Sequence, residues 1–399
     1  MNIFLGVFLL LLACAGNAEW WVMLVNRRHA LRYRHAQLLK IRHLHDAGLL
    51  LFPPFIVWIA GLADHGLLRG GTFAELPSSV QIILIVAWSG VIPLAWSVIR
   101  YQLSCPPTEL LSVESTVVDT LAVAPDEEAR QRIRGDRDSK FLKFPANEIF
   151  HLDINRKRIK LAKRSGAMPT FPTDALRLAH FSDVHLLGTP GPGYLEFVTD
   201  RLADFRPDVF LFTGDLLDRD DLLPQAEHAF QQLLDVAPGY FVLGNHDWHL
   251  DHERIRDCLK SVGWQSLAGV SRAITIRDWK VLLAGTELPW MGQNPDVPPR
   301  GDEHLRIMLS HTPDQRNFCT DNNFDLMTCG HNHGGQVVLP VIGPVYSPSI
   351  YGVKYAGGMY RHEQLLIHVS RGTGAKDLLR WRCPPEVTLL EIEFAGTPE

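Results

Sequence analysis

Two kinds of hydrophobic pattern divide the chain. The first hundred residues hold three long apolar runs, at residues 3–25, 47–63 and 80–99, and no polar stripe at helical spacing interrupts the second and third. Runs of this length match the roughly 30 Å of a bilayer core, so they predict transmembrane helices rather than buried helices of a soluble domain. After residue 176 the apolar runs shorten to strand length and alternate with helical stretches, which predicts an α/β sheet domain.

Five of the short apolar runs end on Asp, Asn or His. The central one, YFVLGNHD at residues 240–247, reads as a buried strand that stops at Gly244 and continues with Asn245, His246 and Asp247. The same change of pattern occurs at residues 176–185, 208–215, 305–311 and 325–333. Because the carboxyl ends of strands in α/β sheets share the edge where ligands bind, we expect these polar side chains to converge on one site.

The first apolar run is predicted to be an uncleaved membrane anchor. It carries Asn17 and Glu19, which are costly in lipid, and Leu11 to Cys14 is loosely similar to a lipobox, so a cleaved signal peptide is the alternative. No Lys or Arg precedes the run, although a secretory signal normally carries one.

The loop after this run predicts the orientation. It carries six basic residues and no acid before Asp46: Arg27, Arg28, Arg32, Arg34, Lys40 and Arg42. Basic loops stay on the cytoplasmic side, so about three helices in residues 1–104 would place the amino terminus outside and the catalytic domain in the cytoplasm. We therefore expect a multi-pass protein of a bacterial inner membrane.

Residues 105–175 are expected to form a linker and accessory segment. Residues 112–123 could form a strand, and residues 125–143 alternate acids and bases in a pattern typical of a mobile loop. Residues 156–164 are densely basic, which fits a solvated segment near the membrane or a contact with anionic headgroups. Nucleic-acid binding is not expected, because no further basic stripe with interleaved aromatic residues follows.

The polar residues at the strand ends form an ordered set: Asp183-x-His185, Gly214-Asp215-Leu216-Leu217-Asp218-Arg219, Gly244-Asn245-His246-Asp247, His311 and Gly330-His331-x-His333. In this order the motifs resemble the signature of the calcineurin-like metallophosphoesterases, over residues 176–395. The continuation Gly334-Gly335-Gln336 is similar to the membrane-associated bacterial branch, which includes enzymes acting on lipid-linked and UDP-linked phosphoesters. The resemblance implies a two-sheet αββα sandwich, and strand-rich stretches after residue 264 agree with a second sheet.

The donor types in these motifs predict a binuclear metal centre. Carboxylate, amide and imidazole groups without thiolate suit Mn(II), Fe or Zn, and one carboxylate can bridge two cations about 3.5 to 4 Å apart. By resemblance, the first metal would be held by Asp183, His185, Asp215 and His333, and the second by Asp215, Asn245, His311 and His331. We expect two divalent ions, Mn first, with Fe, Zn or Mg as alternatives. Hydroxide formed on two such cations would attack phosphorus in line.

Three further residues are candidates for chemistry. His246 follows the candidate ligand Asn245, but the family pattern leaves it off the metals, so it could protonate the leaving group. Asp218 would hold the His246 imidazole in orientation, and Arg219 would contact phosphate. For Asp218 and Asp247 the alternative is a helix cap or a loop acid.

The expected function is hydrolysis of a phosphoester or pyrophosphate bond, including one in a lipid or lipid precursor. Aromatic residues in 346–360 (YSPSIYGVKYAGGMY) could form a mobile rim for an acyl tail, or could simply pack the sandwich edge. The alternatives are a phosphoprotein phosphatase or cyclic-nucleotide phosphodiesterase, and a membrane scaffold without activity. The scaffold is disfavoured because every motif position is filled. The sequence predicts no oligomeric state.

Overall fold

The computed structural model describes residues 2–162 and 172–394. They form two compact units. The helical unit contains the chain up to Ser104 together with Leu339–Lys354, and the sheet unit contains Cys105–Val338 and the chain from Tyr355 onward. One boundary between the units follows Ser104, and residue 175 lies inside the sheet unit.

The helical unit is built from helices whose apolar residues face both inward and outward. They are α1 (Ile3–His29), α2 (His35–Ile56), α3 (Ser78–Ser89) and α4 (Val91–Gln102), and a π-helical turn at Val57–Gly61 extends α2. Leu10 and Leu84 are buried in its core, whereas Leu50, Trp58 and Ile92 are about 70% exposed. Large apolar side chains exposed all along a helix are typical of contact with lipid.

In the described part of the chain, three helical stretches are long and apolar enough to cross a membrane: Ile3–His29, Ala36–Gly61 and Ser78–Gln102. The third comprises α3 and α4, because Gly90 between them keeps helical dihedral angles. Gly16 lets α1 approach α3 closely, since a Cβ atom there would collide with the carbonyl of Ala87. The three predicted apolar runs are thus three helices packed on one another.

The sheet unit contains most of the strands and the remaining helices. The strands are β1 (Leu110–Asp119), β2 (His151–Leu161), β3 (Leu176–Phe181), β4 (Val209–Thr213), β5 (Gly239–Val242), β6 (Gln265–Ser266), β7 (Ser271–Ile276), β8 (Trp279–Thr286), β9 (Leu305–Ser310), β10 (Leu326–Cys329), the short β11 (Val338–Leu339) and β12 (Gly343–Pro344), β13 (Gly358–His362), β14 (Leu365–Val369) and β15 (Glu386–Phe394). Of these, β12 belongs to the helical unit, and β11 contains the last residue of one unit and the first of the next. The helices are α5 (Glu127–Arg134), α6 (Pro192–Asp204), α7 (Leu223–Leu234), α8 (Asn245–His249), α9 (His252–Ser261) and α10 (Arg316–Asp321).

These strands form two sheets packed face to face. The first has the order β1-β2-β15-β3-β4-β5-β6 and the second β13-β14-β10-β9-β8-β7. Alternate residues of β4 show the layering: Val209 and Leu211 face the second sheet, whereas Phe210 and Phe212 pack against helices α6, α7 and α9. The predicted two-sheet sandwich is confirmed.

The segment expected to be a linker contributes two strands to the first sheet. Strand β2 pairs with β1 and also, in parallel, with β15. The basic stretch at residues 156–164 is part of this strand up to Leu161, and residues 163 and 164 lie outside the described residues. Arg156 and Arg158 point to solvent, while Lys157 and Ile159 are buried. Alternation of exposed charges with buried residues, rather than overall solvation, is the pattern of an internal strand.

The stretch predicted to be a mobile loop contains helix α5. Asp126 caps it by accepting a hydrogen bond from the Ala129 N–H at 2.8 Å, and Gly135 ends it at a φ of 84°. Ile133 is buried in the core beside α6. One buried apolar residue and a cap at each end therefore stabilise α5, although its sequence has no wider apolar stripe.

A chain of buried polar groups crosses from β2 to the end of β4. The Lys157 ammonium lies 2.8 Å from Nε2 of His368, Nδ1 of His368 lies 2.7 Å from Nδ1 of His180, and Nε2 of His180 lies 2.9 Å from the Thr213 hydroxyl. Burial lowers the pKa of His180 to about 3 and that of His368 well below its ordinary value, so both rings are neutral. Because lysine donates, each ring accepts on the Lys157 side and donates towards Thr213.

The charge of Lys157 is balanced within the same layer. Glu386 lies 3.9 Å from the Lys157 ammonium and accepts hydrogen bonds from Arg371 Nε at 2.9 Å and from Asn155 Nδ2 at 3.1 Å. Arg371 also pairs with Asp153. Burial raises the pKa of Glu386, but Lys157 and Arg371 outweigh this effect and keep that pKa below its ordinary value. Two cations and two carboxylates thus join β2, β15 and the segment after β14.

Candidate metal centre

Five chain segments bring polar side chains together at the carboxyl ends of β3, β4, β5, β9 and β10. Several of these side chains sit on residues with left-handed backbone conformation: φ is 52° at Asp183, 49° at His185, 57° at Asp215, 70° at His331 and 52° at His333. Residues other than glycine rarely adopt such angles, and those that do are concentrated at functional sites. These left-handed residues follow β3, β4 and β10, where they stop the strand and redirect the chain toward the donors that follow β5 and β9.

One cluster contains Asp183, His185 and His333, which could together hold a metal ion. The Nε2 atoms of His185 and His333 are 3.0 Å apart, and Nε2 of His333 is 3.4 Å from Oδ1 of Asp183. Asp183 and His185 are almost fully buried. The three ligand atoms therefore face one small volume.

A second cluster contains Asp215, His311 and His331, which could hold another ion. Nε2 of His311 is 3.2 Å from Oδ2 of Asp215, 3.0 Å from Oδ1 of Asn245 and 3.1 Å from Nδ1 of His331. Oδ2 of Asp215 is also 3.6 Å from Nε2 of His185, a member of the first cluster. Asp215 thus lies against donor atoms of both clusters.

The donor set fits divalent cations. Carboxylates buried this deeply need pairing or a metal, and here the neighbouring side chains are mainly imidazoles. Burial lowers the pKa of His311, but the carboxylates of Asp215 and Asp183 outweigh it and raise that pKa to about 9. The cluster is therefore rich in negative charge and attracts positive charge.

Neighbouring groups orient two of the imidazoles toward such a cation. The Nδ1–H of His311 donates to the carbonyl of Thr213 at 2.7 Å, and the Nδ1–H of His185 donates to Asp218 at 2.9 Å. In a neutral imidazole this leaves the Nε2 lone pair available inside the cluster. Both rings are thus held in the tautomer that a metal ligand requires.

Asp247 connects the loop after β4 to the loop after β5. Its Oδ2 accepts hydrogen bonds from the N–H groups of Asp215 and Gly244, both at 2.9 Å, and its Oδ1 accepts from Leu216 at 2.9 Å and Leu217 at 3.2 Å. Burial and the nearby Asp215 carboxylate raise the pKa of Asp247 to about 7, against the effect of these donors. Asp247 is not a member of the described clusters. Its bond to the Gly244 N–H is a helix cap at the start of α8, and the same carboxylate holds the two loops together.

Asp218 lies between two histidines. Its Oδ1 is 2.6 Å from Nδ1 of His246, and its Oδ2 is the acceptor for His185 described above. Burial raises the pKa of Asp218, but the imidazoles of His246 and His185 outweigh it and leave that pKa well below its ordinary value. The anionic carboxylate orients the His246 ring, which remains partly exposed at 17%.

The structure places two further sets of predicted residues. Arg219 is exposed and forms a two-point ion pair with Asp221, with nitrogen to oxygen distances of 2.6 and 3.1 Å, and its contact with phosphate stays a prediction. Tyr355 is 1% exposed and Tyr360 donates to the carbonyl of Gly357, so these two tyrosines pack inside the sheet unit rather than forming a mobile rim. Aromatic rings with a nearby polar partner are stable when buried.

Sequence reasoning missed two residues beside the clusters. Arg380 is fully buried and donates to the carbonyl of His333 at 2.9 Å, and the Trp290 ring packs against the rings of His311 and His331. Neither residue belongs to a recognisable motif, because each reaches the site from a distant part of the chain. Only the three-dimensional fold reveals them.

Comparisons with known proteins agree with this geometry. A family model of the calcineurin-like phosphoesterases matches residues 176–335, which contain every strand-end motif described above. Phosphodiesterase YaeI of Escherichia coli is 33% identical over 207 residues, covering 50% of this chain and 76% of its own. UDP-2,3-diacylglucosamine pyrophosphatase LpxG of Chlamydia trachomatis is 24% identical, covering 61% and 92%. A transmembrane protein with metallophosphoesterase domain from Danio rerio is 30% identical, covering 50% and 49%.

Asp247→Asn tests the role of Asp247 as the connector of the two loops. An amide presents one oxygen instead of two, so two of the four backbone N–H groups lose their acceptor, and we expect a loss of about 2 to 4 kcal/mol in the free energy of unfolding. Asp251→Asn is the matched control, because Asp251 caps α9 and asparagine caps equally well. Thermal unfolding followed by circular dichroism measures both, and equal midpoints for the two variants would contradict the assignment.

Proposed function

Because the chain belongs to the calcineurin-like phosphoesterase family and is a metal-dependent phosphoesterase, we propose that it acts on a phosphoester or pyrophosphate bond of a membrane lipid or lipid precursor. The proposed chemistry is supported by the two buried donor clusters and by Asp215, which lies against donor atoms of both. The proposal of a lipid substrate is supported by the three apolar helices in the same chain.

We assign the ligands from the two clusters. Asp183, His185, Asp215 and His333 would hold one divalent ion, and Asp215, Asn245, His311 and His331 the other. Bound ions would supply Lewis acidity that neutralises phosphate oxygens and activates water for attack on phosphorus. Manganese is our first choice, because hard oxygen donors are mixed with imidazoles and no thiolate takes part.

His246 is assigned as the general acid. Its ring is held by Asp218 on Nδ1, so Nε2 is the atom that would deliver a proton to the leaving oxygen. The backbone N–H of His246 also donates to Oδ1 of Asp215 at 2.8 Å, which fixes the ring relative to the shared carboxylate. Arg219 would reach phosphate only by leaving Asp221, so its role stays secondary.

The lipid substrate is supported by two independent considerations. LpxG, a relative that the chain covers over 92% of its length, is a pyrophosphatase of a diacylated sugar nucleotide by name. A chain with helices long enough to cross a membrane also has direct access to molecules that stay in the bilayer. A phosphodiester without acyl chains is the second candidate, favoured by the similarity to phosphodiesterase YaeI.

Acylation of the substrate separates these candidates. We expect the full chain, loaded with manganese, to show a higher kcat/KM for an acylated than for the deacylated form of one UDP-linked phosphoester. Asp215→Asn should lose activity and most bound metal in the same preparation, whereas Asp221→Asn, on the exposed ion pair, should keep both. Equal kcat/KM values for the two forms would favour the soluble phosphodiester, and full metal content in Asp215→Asn would contradict the shared ligand.

The role of His246 is tested by varying the leaving group. His246→Ala should keep its metal but lose roughly 10²- to 10⁴-fold in kcat for an alkyl ester, with a smaller loss for a nitrophenyl ester that needs no proton. His228→Ala, on the exposed face of α7, provides the control. An equal loss for both esters would exclude proton donation by His246.

We further propose that the sheet unit faces the cytoplasm. The support is the run of basic residues from the last turn of α1 to the first half of α2, which follows the positive-inside tendency. A reporter fused after Arg100 should be active only if it functions in the cytoplasm, and one inserted at Gly70 should report the opposite side. The reverse pattern would place the enzyme outside and change its accessible substrates.

A further inference from the structure

A cavity in the helical unit lies apart from the residues assigned to catalysis. It has a volume of about 150 Å³ and is enclosed by the C-terminal half of α1, by α4 and by the segment Leu339–Lys354. Its walls are mainly apolar, with Met23 and Leu94 among them, but Arg27 and Arg100 also line it. The cavity thus combines a hydrocarbon surface with two cationic groups.

Hydrogen bonds hold the third wall of this cavity in place. Asn26 is 3% exposed, and its Oδ1 accepts a hydrogen bond from the Ser347 N–H at 3.1 Å. The hydroxyl of Tyr346 lies 2.9 Å from Nδ1 of His29. Asn26 and His29 both hydrogen-bond to this segment and hold it against α1. The cavity is therefore a fixed feature of the helical unit.

The two arginines of the cavity lie at the same side of the proposed membrane. Arg27 is in the last turn of α1 and Arg100 in the last turn of α4. Between these two helix ends the chain crosses the membrane twice. In the proposed topology both ends therefore reach the cytoplasmic surface. Glu19 also lines the cavity, which leaves two arginines against one carboxylate and a net positive charge.

We propose that this cavity binds the phosphate group of an anionic membrane lipid. Arginine presents a planar set of donors that matches phosphate oxygens, and basic pockets between transmembrane helices on the cytoplasmic side bind anionic headgroups. A cavity of this volume holds a molecule of the size of benzene, so it admits a phosphate group but not the acyl chains. Trp96, which lines the cavity and is 64% exposed, provides the path along which the chains leave for the bilayer.

This inference rests on the membrane location proposed above and deepens it, because the bound lipid is either the substrate or a resident phospholipid. Native mass spectrometry of the full chain in detergent, with phosphatidic acid and with phosphatidylcholine of the same acyl chains, measures the binding. We expect preference for phosphatidic acid, and a roughly fivefold weaker affinity in Arg27→Gln and in Arg100→Gln, which corresponds to about 1 kcal/mol per charge. Arg27 is exposed on its helix, so its replacement leaves the packing of the unit intact.

Arg42→Gln is the matched control, because Arg42 belongs to the same basic stretch of sequence, in the first half of α2, but does not line the cavity. Affinity in that variant should stay within about twofold of the unsubstituted chain, since its charge is screened from the cavity. Equal weakening in all three variants would reveal diffuse attraction to basic residues and overturn the proposal. So would equal affinity for the two lipids.

A kinetic measurement identifies the source of the lipid. If Arg100→Gln loses both phosphatidic acid binding and the kinetic advantage of acylated substrate, the cavity holds the substrate. If it loses binding but keeps that advantage, the cavity holds a resident phospholipid. If the unsubstituted chain has equal kcat/KM for acylated and deacylated substrate, the proposal of a lipid substrate is contradicted. Selective binding of phosphatidic acid would still support the proposal that the cavity binds an anionic lipid.

Discussion

The carboxylate of Asp247 is the interaction on which the candidate metal centre depends. It accepts four backbone N–H groups from two loops, and these N–H groups lie outside the regular strands. Left-handed conformations at non-glycine residues cost on the order of 1–3 kcal/mol each, and five candidate ligands adopt them. Hydrogen bonds and burial around the loops must offset this cost. The geometry of the donors therefore relies on a residue outside both clusters.

The two buried charge groups of the sheet unit differ in a way that explains their roles. Around Lys157, two cations face two carboxylates, so the group is balanced by the protein itself. Around Asp215, carboxylates face imidazoles, and the excess of negative charge raises the pKa of His311. Buried charges without counter-charges are strongly destabilising, so the second group favours cations from solution or protons on its imidazoles, while the first is already balanced.

Much of the catalytic half could be predicted from the sequence because its signals are local. A buried strand that ends in Asp, Asn or His is visible in eight residues, and the five strand ends at β3, β4, β5, β9 and β10 lie where the pattern predicted. The contribution of β2 was not visible, because its basic residues mask the alternation that buries Lys157. Arg380 and Trp290 act through contacts between distant segments, for which a short motif carries no signal. Asp247 was ambiguous since caps and connectors use the same residue type.

The position of β15 has a consequence for how the protein is made. This strand, Glu386–Phe394, is the last along the described chain, yet it lies between β2 and β3 in the middle of the first sheet. During synthesis, the strands made earlier wait as two separate ribbons with unpaired edges, and such edges are prone to aggregate. The first sheet becomes continuous only after the ribosome has delivered β15. Synthesis must therefore pass Phe394 before the strands on either side of β15 are joined, and a check on folding before that point would see only the separate parts.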